Sequence, residues 1–192
     1  MLDNITQIPA PRVPIWDTMT NYVTRGWYRF FYNVYAILGS GSLRSGSFYD
    51  TTTQTAAAAN TAYAITFDNT NLTQGVSIGT PTSRIYVNRT GSYNIQFSLQ
   101  LVSTNAASKD VYIWADVNGA SVTQSATKLT MSGSSNAYVA AWNFVIRMSA
   151  GDYFRLMWST SNTNVQIAAA AASAPVPAIP SVILTVASNI GE

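Results

Sequence analysis

Residues 85–97 read Ile85-Tyr86-Val87-Asn88-Arg89-Thr90-Gly91-Ser92-Tyr93-Asn94-Ile95-Gln96-Phe97, and the pattern runs on through Ser98, Leu99, Gln100 and Leu101. From position 93 every odd residue is apolar and every even one polar. A period of two collects the large apolar groups on one face of a strand, which a helix cannot do. The stretch is predicted to be a core strand, preceded by a short strand at Ile85–Val87. Gly91 then marks a tight connection that needs a permissive backbone.

Working outward, 192 residues support one sizeable core and an appendage. Charged residues make up 9%, against about 25% in an average soluble domain, so the solvated faces must be built from hydroxyl and amide groups. In the first 46 residues Arg12, Arg25, Arg29 and Arg44 stand against Asp3 and Asp17, and six cations meet six anions in the remainder, leaving a net charge of +2. With Arg84, Arg89, Arg147 and Arg155 dispersed, this gives no footprint for nucleic acid. Cysteine and histidine are both absent, which excludes disulfides, thiolate chemistry and imidazole as base or ligand.

Catalysis would fall to carboxylates. Asp110 and Asp116, six apart on a strand, stand about 20 Å from each other, too far to act on one bond. No enzyme and no cofactor are expected. No metal site is expected either, since Asp50, Asp68 and Asp110 are too isolated to gather the oxygens that calcium requires. The N-terminus lacks a charged-then-apolar secretory pattern. The longest apolar run, Trp27–Leu38, is interrupted by Arg29 and Asn33 and is shorter than the roughly 20 residues of a membrane span.

Pro9, Pro11 and Pro14 hold the start of the chain extended, as an arm. Trp27, Phe30, Phe31, Val34, Ile37 and Leu38 then recur at three and four, the spacing of a helical stripe, with Thr24 placed to cap its start and Gly39 its end. Tyr28, Tyr32 and Tyr35 widen the stripe to most of the circumference. Such a helix is buried either by other chains or by its own β domain. Gly39–Ser47 is linker by composition, so residues 1–46 are read as an arm, helix and linker that anchor the chain, and 47–192 as the domain. Within the domain, strands are expected at 48–52, 62–68, 76–78, 83–88, 92–103, 111–118, 120–131, 137–148, 153–159, 165–171 and 182–187. Asn118-Gly119 reads as a type I′ hairpin turn. The count and spacing indicate an all-β sandwich of two antiparallel sheets.

Three stretches carry a resemblance, two motifs and the apolar strand Ser181-Val-Ile-Leu-Thr-Val186 near the end. Ile85, a five-residue gap, then Gly91-Ser-Tyr93-Asn-Ile95-Gln-Phe97 resembles the aromatic, gap, Gly-x-Tyr-x-Phe-x-aromatic signature of complement component 1q globular heads and tumour necrosis factor-like domains. Phe144 to Leu156, with Gly151-Asp152 at its turn, resembles the late strand, Gly-Asp turn and strand of the same families. Ile at 85 and 95 departs from their aromatics, and the acidic calcium loop of some members is missing. The N-terminal Pro-Arg-Val-Pro-Ile and Arg-Gly-Trp-Tyr-Arg-Phe-Phe-Tyr segments are similar to leaders of tailed-bacteriophage virion proteins, of the tail-fibre and capsid-fibre or decoration types.

The resemblance implies an antiparallel jelly-roll fold and a homotrimer. It further implies a structural protein located in the virion, whose N-terminal segment meets other virion proteins and whose head meets a host glycan or protein. The alternative is a soluble trimeric ligand- or carbohydrate-binding module. Trp27, Tyr28, Phe30, Phe31, Val34, Ile37 and Leu38 are the anchoring candidates. Tyr112, Trp114, Trp142, Tyr153 and Trp158 are the candidates for a trimer interface or a receptor site, because alternation makes both faces of 137–146 apolar and groups Tyr112 with Trp114 and Asp116.

Overall fold

The computed structural model describes residues 8–10, 12–40 and 43–188, without the side chains of 36–40. The chain divides into two compact units, one up to residue 42 and one from residue 43.

In the first unit the arm is folded, contrary to the extended reading. Trp16–Asp17 (β1) and Tyr22–Val23 (β2) pair as a hairpin. The Asp17 carboxylate closes its turn by accepting the Met19 and Thr20 amides at 2.8 and 3.3 Å, and Asn21 sits at φ 60°. Helix α1, Arg25–Ser40, follows directly. Thr24 occupies the cap position, but its hydroxyl donates to the Pro14 carbonyl at 2.7 Å and so ties the arm to the helix. The Trp27 indole does the same to the Val13 carbonyl at 2.9 Å. Proline density predicted an arm held straight; these two side-chain donors turn it back onto the first helical turn. The helix runs through Gly39 to Ser40, so Gly39 does not end it.

The second unit is built from β3 (Ser45–Asp50), β4 (Gln54–Thr55), β5 (Tyr63–Ala64), β6 (Asn69–Gln74), β7 (Val76–Ile78), β8 (Ile85–Val87), β9 (Gly91–Ser103), β10 (Lys109–Val117), β11 (Ala120–Ser121), β12 (Thr127–Met131), β13 (Ala137–Met148), β14 (Tyr153–Thr160), β15 (Val165–Ile167) and β16 (Val182–Ser188). Eight of these fix the topology. Among β3, β8, β9, β10, β12, β13, β14 and β16, the first pairs with the last, the second with the seventh, the third with the sixth and the fourth with the fifth. The folded-over hairpin is completed by β9 against β16 and β10 against β14. This is the jelly-roll sandwich. One sheet runs β13-β9-β16-β3-β6, with β15 and β4 extending it beside β9; the other is built on β10-β14-β8-β7 and is joined by β5, β11 and β12.

The core lies between the sheets. Tyr93, Ile95, Phe97, Leu99 and Leu101 of β9 are buried with Leu184 of the neighbouring β16 on one side of the core, and Ile113, Phe154 and Leu156 of the other sheet are buried on the opposite side. At about 1.5–3 kcal/mol for each large side chain removed from water, this layer is the main source of stability. Gly91 is simply the first residue of β9: an added Cβ would meet nothing within 4 Å, and its φ is not positive. The positive φ belongs to Gly151, at 89°. Asn118 and Gly119, at φ 53° and 89°, form the expected hairpin turn.

Other departures have local causes. Asn69–Gln74, outside the expected strands, is strand β6 along the outer edge of β3, with a register shift at Ser47/Phe48. The single strand expected at 120–131 is split into β11 and β12, with Gln124 at φ 62° between them. Only 63–64 of 62–68 is strand, and 165–171 stops at Ile167. Of the Gly39–Ser47 linker, Gly39 and Ser40 belong to the helix and 45–47 to β3.

Candidate interaction surfaces

The anchoring residues divide into sectors when placed at about 100° per residue. Trp27, Phe30 and Val34 share one half-buried arc, and Trp27 meets Phe30 edge to face at 5.8 Å and Phe31 at a tilt at 5.7 Å. The next arc carries Phe31, Tyr35, Tyr28 and Tyr32, all exposed, with Tyr28 at 62% and Tyr35 at 73%. Arg25 and Arg29 follow. The side chains of Ile37 and Leu38 lie outside the described residues.

On the first sheet, alternation places Tyr138, Trp142, Phe144 and Ile146 of β13 against the core and turns Val139 and Val145 outward, each 63% exposed. Registration with β9 and β16 sets Val139 beside Gln100, Ala141 beside Ser98, Val145 beside Asn94, and Ile183 on the far side of Ser98. Across β13, β9 and β16 this outer face carries one charged side chain, Arg147. The far edge of β13 pairs with no strand among the described residues. Trp142 packs edge-on to Phe97 at 4.6 Å, and its buried Nε1 has no hydrogen-bond partner among the described residues.

The second sheet has a different outer face. Tyr112, Trp114 and Asp116 of β10 lie beside Ser159, Met157 and Arg155 of β14. Trp114 Nε1 donates to Ser121 Oγ at 3.1 Å. Arg155 grips the buried Asp116 carboxylate through Nε and Nη2, both at 3.0 Å. Lys128 and Thr130 donate to Asp110 at 3.0 and 2.7 Å, and these two bonds hold its pKa below the ordinary 3.8. Both carboxylates that alternation put on one face are thus occupied by cations. Tyr153 leads into the Arg84 and Tyr86 neighbourhood, with its ring 5.4 Å from that of Tyr86.

Of the five interface or receptor candidates, Tyr112, Trp114 and Tyr153 share this face. Trp142 and Trp158 point inward instead. Trp158 is only 1% exposed and packs by Tyr63, so it cannot serve as a receptor contact; it shares its parity with Phe154 and Leu156, which the alternation of β14 already signalled. Asp152 closes its turn by accepting from Ser149 N at 2.7 Å, and it also accepts from Asn118 Nδ2 at 2.7 Å. The Asn118 and Ser149 bonds hold its carboxyl below the ordinary value.

Sequence reasoning passed over Lys109. Only 1% exposed, its ammonium donates to Ser103 Oγ, Asn105 O and Ala107 O at 2.5, 2.6 and 2.7 Å. The signal was present: Lys109 continues the inward parity of Val111, Ile113 and Ala115. It acts as an internal cation that gathers the 103–108 loop. Among the described residues no cluster of three or more His, Cys, Asp or Glu is placed to hold a metal, and no helix is long and apolar enough to cross a membrane.

No protein-family model matches the sequence, and no curated protein matches it. Among solved structures, the chain is similar to murine APRIL at pH 5.0, with 10% identity over 77% of this chain and 100% of that one and a TM-score of 0.49. It is also similar to murine APRIL at pH 8.5, with 12% identity over the same shares and a TM-score of 0.47. The jelly-roll assignment rests on the strand pairing itself.

Proposed function

We propose that this chain is a structural protein of a bacteriophage particle, a tail-fibre or capsid-decoration component. Three copies of the head associate, and the N-terminal unit fastens the assembly to another virion protein. The role is binding and not turnover, with repeated copies giving avidity toward a host surface.

The observation that carries this reading is the presence of an uncovered apolar surface on each unit. On the head it is the β13 face bearing Val139 and Val145, nearly free of charge and bordered by an unpaired strand edge. Exposed valines on a nearly uncharged face with an open strand edge favour an interaction site, and the tumour necrosis factor-like resemblance suggests a further copy of the head as its cover. On the first unit it is the Tyr28, Phe31, Tyr32 and Tyr35 arc, whose residue types are those enriched at protein interfaces. The phage-leader resemblance covers this same helix.

The test removes residues 1–42, leaving intact β3 and the bond from Arg44 N to Ser188 Oγ. Sedimentation is expected to give three copies for the full chain and for the truncated head, while only the full chain joins particles. Incorporation of the truncated head, or a monomeric head, overturns the reading. A three-copy head that binds a neutral glycan array with no particle association favours the carbohydrate-binding alternative.

A further inference from the structure

The outer face of the second sheet holds a cationic group, Arg84, that pairs with no carboxylate among the described residues. Arg84 lies over the Tyr153 ring, with Cζ 4.7 Å from the centroid. Its Nε is buried with no hydrogen-bond partner, and no ion pair or side-chain hydrogen bond engages its guanidinium among the described residues. Arg155 reaches the same ring, with Cζ at 5.8 Å, but its fork is committed to Asp116 at 3.0 and 3.0 Å. Two guanidiniums and one carboxylate leave the cluster one positive charge in excess.

The rings beside that charge are fixed in place. Tyr86 pairs with Tyr153 across β8 and β14. A Cβ at Gly79 would fall 2.2 Å from Tyr86 Cε2, so the ring lies directly on bare backbone. The Tyr153 hydroxyl stands beside the hairpin turn, 3.4 Å from where a Cβ of Gly119 would be. Neither phenol has a hydrogen-bond partner among the described residues, and both residues are partly buried and partly open to solvent. A planar guanidinium suits two-point recognition of a carboxylate or sulfate. A bare ion would use only the guanidinium; the adjoining rings and free hydroxyls match the C–H face and hydroxyls of a sugar.

We propose that Arg84, Tyr86, Tyr153 and Arg155 form a binding site for an anionic saccharide, a pyranose bearing a carboxylate. Arg84 takes the carboxylate, the tyrosine rings take the pyranose face, and the Asp116–Arg155 pair keeps Tyr153 in place. All four residues belong to the head, so the site does not depend on particle attachment.

Calorimetric titration of the full chain with tetragalacturonate, an uncharged galactose tetramer and sodium sulfate tests this. Tetragalacturonate is expected to bind, with the neutral tetramer and sulfate each at least about 10-fold weaker. Arg84→Gln and Arg84→Lys should each weaken tetragalacturonate by about 10-fold or more, the lysine keeping the charge but losing the fork. Near-UV circular dichroism checks that each variant keeps its fold, and Tyr153→Phe, which retains the ring, should lose a smaller factor. The proposal is overturned by absent binding, by unchanged affinity in a folded Arg84 variant, by a neutral tetramer binding equally well, or by sulfate matching the saccharide, which would leave an adventitious ion only.

Discussion

Replacing Lys109 by methionine isolates the contribution of a buried cation that has no carboxylate partner among the described residues. The substitution keeps a long unbranched chain in a fully covered site but deletes the three donors to Ser103 Oγ, Asn105 O and Ala107 O. Hydrogen bonds from a charged group contribute about 1.5–3 kcal/mol each. Their simple sum overshoots, because the variant no longer has to desolvate an ammonium. The Asn105 carbonyl also keeps the Ser103 hydroxyl as a donor at 2.7 Å. Ala107 O loses its only donor among the described residues, and the loop loses the point that gathers it. A net destabilisation of about 3 kcal/mol follows. For a chain of this size it corresponds to a fall of about 6–12 °C in melting temperature. Lys128→Met is the control, since the Lys128–Asp110 pair is a surface contact of a kind that contributes little. Urea denaturation and thermal melting of the two variants give the comparison. If Lys109→Met melts within about 2 °C of the parent, the desolvation cost cancels the bonds and the cation is not what holds the loop.

Other substitutions separate features that look alike in the sequence. Gly91→Ala should be neutral or slightly stabilising in urea denaturation, whereas Gly151→Ala, at φ 89°, should cost about 1–2 kcal/mol. Val145→Asp places a carboxylate on the outer face of β13 and should convert the proposed three-copy head to single copies in sedimentation without lowering the thermal stability of the isolated copy; an unchanged mass removes β13 from the interface. Burial works to raise the pKa of Asp68, but hydrogen bonds from Thr51 and Asn69 outweigh it and leave the group below 3.8. A lowered folded-state pKa contributes stability above the unfolded value and loses it as pH falls through the folded one. The advantage of the parent over Asp68→Asn should therefore be full above pH 3.8 and fade below it in urea midpoints, while a gap that is constant with pH contradicts the assignment.

Strands with one covered face were readable from their alternation. β9 and β13 declare themselves because every second residue must be apolar, and Asn118-Gly119 because two successive positive φ values admit few residues. Asn69–Gln74 carries no such mark: it adds to the sheet edge through its backbone, its side chains are mostly exposed, and nothing selects their polarity. The face assignments were legible wherever parity was followed to the end of the strand. Lys109 and Trp158 both obey the parity of their neighbours; Lys109 was passed over, and Trp158 was misplaced when residue type was allowed to override parity. Arg84 offered no linear signal, because its significance depends on Tyr153, brought beside it by the pairing of β8 with β14. The folding back of the arm was equally hidden, since it turns on two side-chain donors reaching carbonyls ten and fourteen residues away.

The nesting of first strand with last also dictates when this head can form during synthesis. β9 occupies the middle of its sheet, yet both long neighbours, β13 and β16, are made after it, and β3 waits for β16 at the far end of the domain. A nascent chain that has just released β9 from the ribosome holds a fully apolar strand face with no mate. Pairings so distant along the chain are slow to close, and unmated strands of this kind are prone to aggregation. The head is therefore expected to fold only once β16 has been made. Arrest of synthesis before residue 182 should leave a protease-sensitive chain, with resistance gained in one step once β16 has emerged.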